Sequence, residues 1–229
     1  MNGPIAQLEP PLRALGIDLF STFDVATYNE RVARKPVSPL PSFGRGGALG
    51  VVIGNTRAMW PWFLAAHRAR RALQKTSDPL DAFVADAVTN AVREIDTPSE
   101  IRWSTDAGAR LVSMLDLAEV SGLARRGPAH LAVHAEHGPW FALRAAVVFD
   151  LEAPAAISAP PDPCRSCSAP CVPAMQRALD ATQVPDAAAI ATSWRRWVAV
   201  RDACPVGRGS RYSDDQIQYH YLKKRELLA

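Results

Sequence analysis

The chain has 229 residues, of which 48% are hydrophobic and 21% charged, enough to bury one core in a single large domain. Its 26 basic and 23 acidic residues leave a net charge of +3 with no basic tail, so charge implies no stable nucleic-acid partner. No apolar leader run marks a signal peptide, and the longest apolar stretches, near Ala48 to Gly54 and Trp140 to Phe149, fall short of the ~20 residues that span a bilayer; a cytoplasmic chain without a membrane partner is expected.

Taken in chain order, the first element is a helix over Ile5 to Leu15, and GIDLFSTFDVATYNE then alternates as a strand followed by a short connector. The proline-rich stretch Arg34 to Gly47 is an extended surface segment able to fold over a ligand. ALGVVIG (Ala48 to Gly54) forms a buried strand, and the residues after it form one helix capped by Asn55 or Thr56. Asp78 before Pro79 is an N-cap with proline at the first helical position, opening an amphipathic helix that runs to about Ile95.

Glu100 to Thr105 is a short strand, and ARLVSMLDLAEVSGL a helix stopped by Gly122. AHLAVHA and WFALRAAVVFD, on either side of EHGP, are predicted to pair as a hairpin. A loop from Leu151 to Pro163 leads into the cysteine segment, whose second half is helical. One helix covers Ala187 to Ala203, and a last one opens at Ser213, with Gln216 at capping-box spacing. Strands interspersed with helices predict an α+β fold, divided here as residues 1–155 and a helical, cysteine-containing cap over 156–229 packed on the same domain.

In a reducing compartment the four cysteines act as thiols or metal ligands rather than disulfides. Cys164, Cys167 and Cys171 lie in CRSCSAPC, and Cys204 follows as a Cys-Pro pair. Four thiolates suffice for a single 4Fe-4S cluster, ferredoxin-type loops using such two-residue spacings and a Cys-Pro. A tetrahedral zinc site and leftover thiols are the alternatives.

His130, His134 and His137 surround the predicted hairpin; they read as satisfied or ligand-facing side chains rather than a metal triad. Trp60, Trp62, Trp194 and Trp197 read as core residues on helix faces.

The segment SGLARRGPAHLAVHAEHGPWFALRAAVVFD (Ser121 to Asp150) resembles the corrinoid-binding stretch of epoxyqueuosine reductases and of the cobalamin-processing proteins of the cblC type, the methylmalonic aciduria and homocystinuria type C family. Three further patches, ATYNE, LGVVIGNTRAMWPWFL and RDACPVGRGSRYSDDQIQYHY, are similar to the cblC type in the same order. The resemblance implies a nitroreductase-like antiparallel sheet flanked by helices. It also implies a protein that binds the small-molecule corrinoid cobalamin base-off and removes or reduces its upper ligand, as decyanase or dealkylase.

Electrons would come from an iron-sulfur cluster, a reduced flavin (FMN or FAD) or an electron-donor protein, and the dealkylating thiol would be glutathione. Small residues admit backbone to the macrocycle and aromatics cover its face, which implicates Gly122, Gly127, His130, His134, Gly138, Trp140 and Phe141. Three arginines matching the family's thiol-carboxylate clamp are Arg144, Arg201 and Arg225, whose planar forks suit a carboxylate. Pro139 stands where the family has a second glycine, stiffening the turn.

In epoxyqueuosine reductases a proton-donating aspartate matches Asp106, which otherwise reads as a helix N-cap. Those reductases have eight cysteines against four here. Corrinoid iron-sulfur reduction and non-catalytic carriage of cobalamin remain the alternative functions, in a monomer or homodimer.

Overall fold

The computed structural model describes residues 3–153, 162–182 and 186–228. The chain divides into two compact units: residues 1–124 with 142–160, and residues 125–141 with 161–229. The segment 125–141 thus groups with the cysteine-bearing part of the chain, whereas a boundary at 155 was expected from sequence.

The first unit opens with α1 (Pro4–Arg13) and β1 (Leu19–Asp24). The predicted connector after β1 is instead a helix, α2 (Val25–Val32), because the Asp24 carboxylate accepts from the Ala26 N–H at 2.9 Å and caps it. β2 (Ala48–Asn55) follows the proline-rich segment. That segment is extended but stitched down: Ser38 N–H donates to Leu111 O at 2.7 Å, Asn29 and Leu40 exchange two hydrogen bonds, and Arg45 pairs with Asp150 and Glu152.

The single helix predicted next is two, α3 (Met59–Ala69) and α4 (Arg71–Lys75), separated where Arg70 turns extended. Neither Asn55 nor Thr56 is its cap. Asn55 ends β2 and Ala58 holds the N-cap position, while the Thr56 hydroxyl bonds Asp18. α5 (Pro79–Arg93) begins as expected, with the Asp78 side chain accepting from Asp81 N–H. β3 (Ser99–Trp103) precedes α6 (Met114–Val120), which is shorter than predicted because Ser113 supplies the cap, its hydroxyl accepting from Asp116 N–H.

In the second unit β4 (Arg125–Arg126) pairs with β5 (Ala132–Val133), and His134 bridges Gly138. β6 (Ala142–Glu152) belongs to the first unit. The predicted hairpin is therefore overturned. Both edges of β6 are occupied, by β2 on one side and β3 on the other, giving an antiparallel sheet of order β1-β2-β6-β3. β2 is buried along nearly its whole length and β6 through its central stretch from Arg144 to Phe149, which explains their continuous apolar runs. Phe23, Tyr28, Met59, Phe63, Phe83 and Phe149 fill the core of this unit. α2 and α6 lie against the sheet, and α1 and α3 pack on α5.

The second unit continues with α7 (Cys171–Thr182), α8 (Ala187–Thr192), α9 (Trp194–Asp202) and α10 (Asp214–Leu222). The one helix predicted over Ala187 to Ala203 breaks at Ser193, whose hydroxyl bonds back to Ala189 O. α10 starts at Ser213 as expected, its hydroxyl accepting from Gln216 N–H at 3.2 Å. α7 packs on α9 around Ala129, Ala174, Ala178 and Val200. Among the described residues no helix is long and apolar enough to cross a membrane. The architecture is α+β, an antiparallel sheet flanked by helices, with the cysteines borne on a helical C-terminal part.

Candidate functional site

The sequence-predicted residues fall into both units. In the first, Arg144 lies on β6 and is buried, 8% exposed. Its Nε donates to Asn55 Oδ1 at 2.6 Å, and Nη1 stands 3.6 Å from an Asp81 carboxylate oxygen. Asn55 is itself fully buried, and its amide donates to Thr56 O at 2.7 Å. A guanidinium so held is rigid, and it lines an open cavity with Asp81, Trp103, Ser104 and Thr105.

Asp106 accepts from Trp103 N–H at 3.0 Å and pairs with Arg110 at 3.3 Å. It closes the turn after β3 and is not a helix cap: the short 3-10 turn at Gly108–Arg110 has Ala107 in the N-cap position. Gly122, at φ +73°, ends α6 as its sequence suggests.

The remaining candidates belong to the second unit. Trp140 is buried, 2% exposed, edge-on to Tyr212 at 5.5 Å, with the guanidiniums of Arg201 and Arg211 at 5.7 and 5.5 Å from its ring centre. Cations over an indole face are attracted by its negative π cloud. Arg211 also pairs with Asp202 and Asp214, and these bonds hold its guanidinium in the charged form. Arg225 lies exposed near the C-terminus.

Phe141 is buried and meets His134 edge-on at 5.9 Å. His134 stacks on His137 at 4.6 Å, and its Nδ1 accepts from Glu136 and His137 N–H, which places its ring proton on Nε2. His137 Nδ1 lies 2.9 Å from the Ser210 hydroxyl, whereas His130 sits exposed in a turn at φ +58°.

Gly138 and Gly207 have a packing role that sequence reasoning missed. Both have positive φ; a Cβ on Gly138 would fall 2.1 Å from Val206 O, and one on Gly207 2.1 Å from the His137 carbonyl. Two loops remote in sequence thus press backbone on backbone. Nothing local to either glycine announces the other, and the partnership of Asn55 with Arg144 is equally invisible to spacing.

Cys164, Cys167, Cys171 and Cys204 line one apolar cavity of about 20 Å³ together with Gly127, beside the Pro205–Val206 turn. They come together only in part. Cys167 Sγ accepts from Ala169 N–H at 3.4 Å, and Cys171, the first residue of α7, packs on the α7–α9 core. Among the described residues no group of three or more His, Cys, Asp or Glu side chains is placed to hold a metal ion. The four-thiolate metal set expected from sequence is thus not formed among the described residues. The thiols as arranged fit neither an iron–sulfur cluster nor a tetrahedral zinc. Burial, with the neighbouring Asp162 adding to it at Cys164, pushes the Cys164 and Cys204 thiols up.

The architecture is that of a nitroreductase-like α+β protein, with the α5–β6 cavity in one unit and the aromatic turn and thiol cavity in the other. Among solved structures it is similar to the C. elegans B12-trafficking protein CblC, a human MMACHC homologue. The TM-score is 0.73, with 17% identity over 98% of this chain and 94% of that one. It also resembles epoxyqueuosine reductase bound to a tRNA-Tyr epoxyqueuosine-modified stem loop (TM-score 0.54, 15% identity, 91% of this chain and 66% of that one) and the Bacillus subtilis epoxyqueuosine reductase (TM-score 0.52, 15% identity, 90% and 66%). No protein-family model and no curated protein matches the chain by sequence.

Proposed function

We propose that the chain binds cobalamin base-off and removes or reduces its upper ligand. The observation that carries this reading is the likeness to a B12-trafficking protein over nearly the whole of both chains. In this reading Gly122, Gly127, Gly138, His130, His134, Trp140 and Phe141 belong to the corrinoid site. Its substrates are a small-molecule corrinoid and a reductant, either a reduced flavin or a thiol of the glutathione type.

For an alkyl ligand the thiolate sulfur attacks the alkyl carbon, the cobalt–carbon bond breaks, and its electron pair stays on cobalt. The protein's share is to hold the thiol's carboxylates. Arg144, Arg201 and Arg225 are assigned that task, each able to take a carboxylate with two N–H donors. Asn55 fixes the Arg144 fork before any substrate arrives, and Asp81 is the anion the substrate displaces.

The test is to purify the protein without oxygen, add hydroxocobalamin and cyanocobalamin, and record visible spectra with iron, sulfide and zinc content. A shift to the base-off spectrum at one corrinoid per chain is expected; no shift with either corrinoid overturns the reading. The likeness to a B12-trafficking protein also supports carriage as a second reading, and turnover separates the two: a carrier binds but leaves the upper ligand in place when reduced flavin or glutathione is added.

Replacing Arg144 by Ala is expected to slow thiol-dependent dealkylation about tenfold or more while leaving the corrinoid Kd unchanged. Arg144→Lys keeps the charge, lacks the fork, and should recover only part of the rate. Equal loss of binding and rate in variants that unfold normally would contradict the clamp.

A further inference from the structure

The thiol cavity is unabsorbed by the corrinoid chemistry, and its four sulfurs approach it from two directions. Cys164, Cys167 and Cys171 come from one segment leading into α7, whereas Cys204 stands on the loop after α9. Cys171 and Ala203, the neighbour of Cys204, pack on the same core of Ala129, Ala174, Ala178 and Val200, so both walls are anchored to one α7–α9 pair. A cavity of about 20 Å³ leaves room for roughly one water between the walls. Its lining is apolar apart from the sulfurs, and no histidine or carboxylate faces it to complete a metal site. All four cysteines are free and partly exposed. Metal coordination needs three or four convergent ligands, which are lacking among the described residues; a disulfide needs only two sulfurs.

We propose that the cavity is a thiol–disulfide centre in which Cys204 joins reversibly to a cysteine of the 164–171 segment. A disulfide of the glutathione class is the oxidant. The thiolate of one cysteine attacks it, forming a mixed disulfide and releasing one thiol. The second cysteine then displaces the other thiol, so that two protons and two electrons leave the protein and one S–S bond forms. Disulfides that form in reducing compartments are redox-sensing or catalytic ones. The loop bearing Cys204 continues through Val206 and Gly207, whose backbone presses on His137 and Gly138. Oxidation therefore tethers the loop that backs the aromatic turn, and reduction releases it.

The experiment uses the full chain, reduced and purified without oxygen, equilibrated in buffers of stepped glutathione to glutathione disulfide ratio, quenched in acid, alkylated and mapped by peptide mass. The expected result is the concerted loss of two alkylatable thiols per chain, a cross-linked peptide containing Cys204, full reversal by reduced glutathione, and a higher Tm for the oxidised form. In Cys204→Ser the cross-linked peptide should be absent, and the wild-type map stands alone if that variant does not fold. Mixed glutathione adducts only, a disulfide that omits Cys204, a link between two chains, four inert thiols, or a bound metal that protects them would each overturn the proposal. None of these outcomes depends on whether cobalamin binds.

Discussion

Gly138→Ala is expected to lower the stability of the second unit by about 3 to 5 kcal/mol, measured by urea unfolding. A left-handed backbone costs a residue with a Cβ about 1 to 2 kcal/mol, and the rest comes from displacing a main chain that cannot swing aside. The obstacle here is the Val206 carbonyl oxygen, 2.1 Å from where the new carbon would lie. Gly207→Ala meets the His137 carbonyl from the opposite loop at the same distance and should cost a similar amount. Gly209, in the 3-10 turn Arg208–Ser210 that follows Gly207, has open space around it and no positive φ, so Gly209→Ala should cost less than about 1 kcal/mol. If all three alanine variants unfold alike, the two loops are not in contact in solution.

Asp116→Asn is expected to cost about 2 kcal/mol at neutral pH. The carboxylate is 1% exposed and accepts from Lys35 Nζ at 2.7 and 2.8 Å, from Arg31 Nε at 2.8 Å and from the Ser113 hydroxyl. Burial alone would raise its pKa, but the hydrogen bonds from Lys35, Ser113 and Arg31 outweigh burial and lower it from 3.8 to about 2. A depression of that size corresponds to about 2 kcal/mol of stability.

Because the folded-state pKa is the lower one, this stability is fully present above pH 4 and is lost as pH falls from about 4 to 2. Wild type and Asp116→Asn should therefore differ at pH 7 and converge toward pH 2. A difference that stays constant through the acid range would show that the ion network, which ties α6 to Arg31 of α2 and to Lys35 just after it, contributes nothing through charge.

What the sequence disclosed was what is encoded locally. The Asp78–Pro79 start of α5, the Ser213 cap of α10 and the buried runs of β2 and β6 rest on hydrogen bonds and apolar spacing within a few residues, and each occurs where its local signal places it. Local reading fails where two signals compete. The stretch after Asn55 has helical composition, but the helix begins only after Ala58, which offers no side-chain cap, while Thr56 is bonded to Asp18 and accepts from Ala58 N–H. Adjacency in sequence likewise suggested a hairpin for two strands that never pair.

Of the candidate site, the residue types were legible in the chain: an arginine on a buried strand, a glycine and aromatic turn, four cysteines in two groups, and an order of motifs that resembles cobalamin-processing proteins. Tertiary structure alone decided their partners. Arg144 is fixed by Asn55 from a neighbouring strand, Trp140 is roofed by Arg201, Arg211 and Tyr212 from near the C-terminus, and the four thiols share a cavity without forming a metal-ligand set. The reason is physical. Caps and amphipathic faces are satisfied by neighbours in the chain, whereas strand order, backbone-on-backbone contacts and the direction of a sulfur are set by packing between segments far apart in sequence.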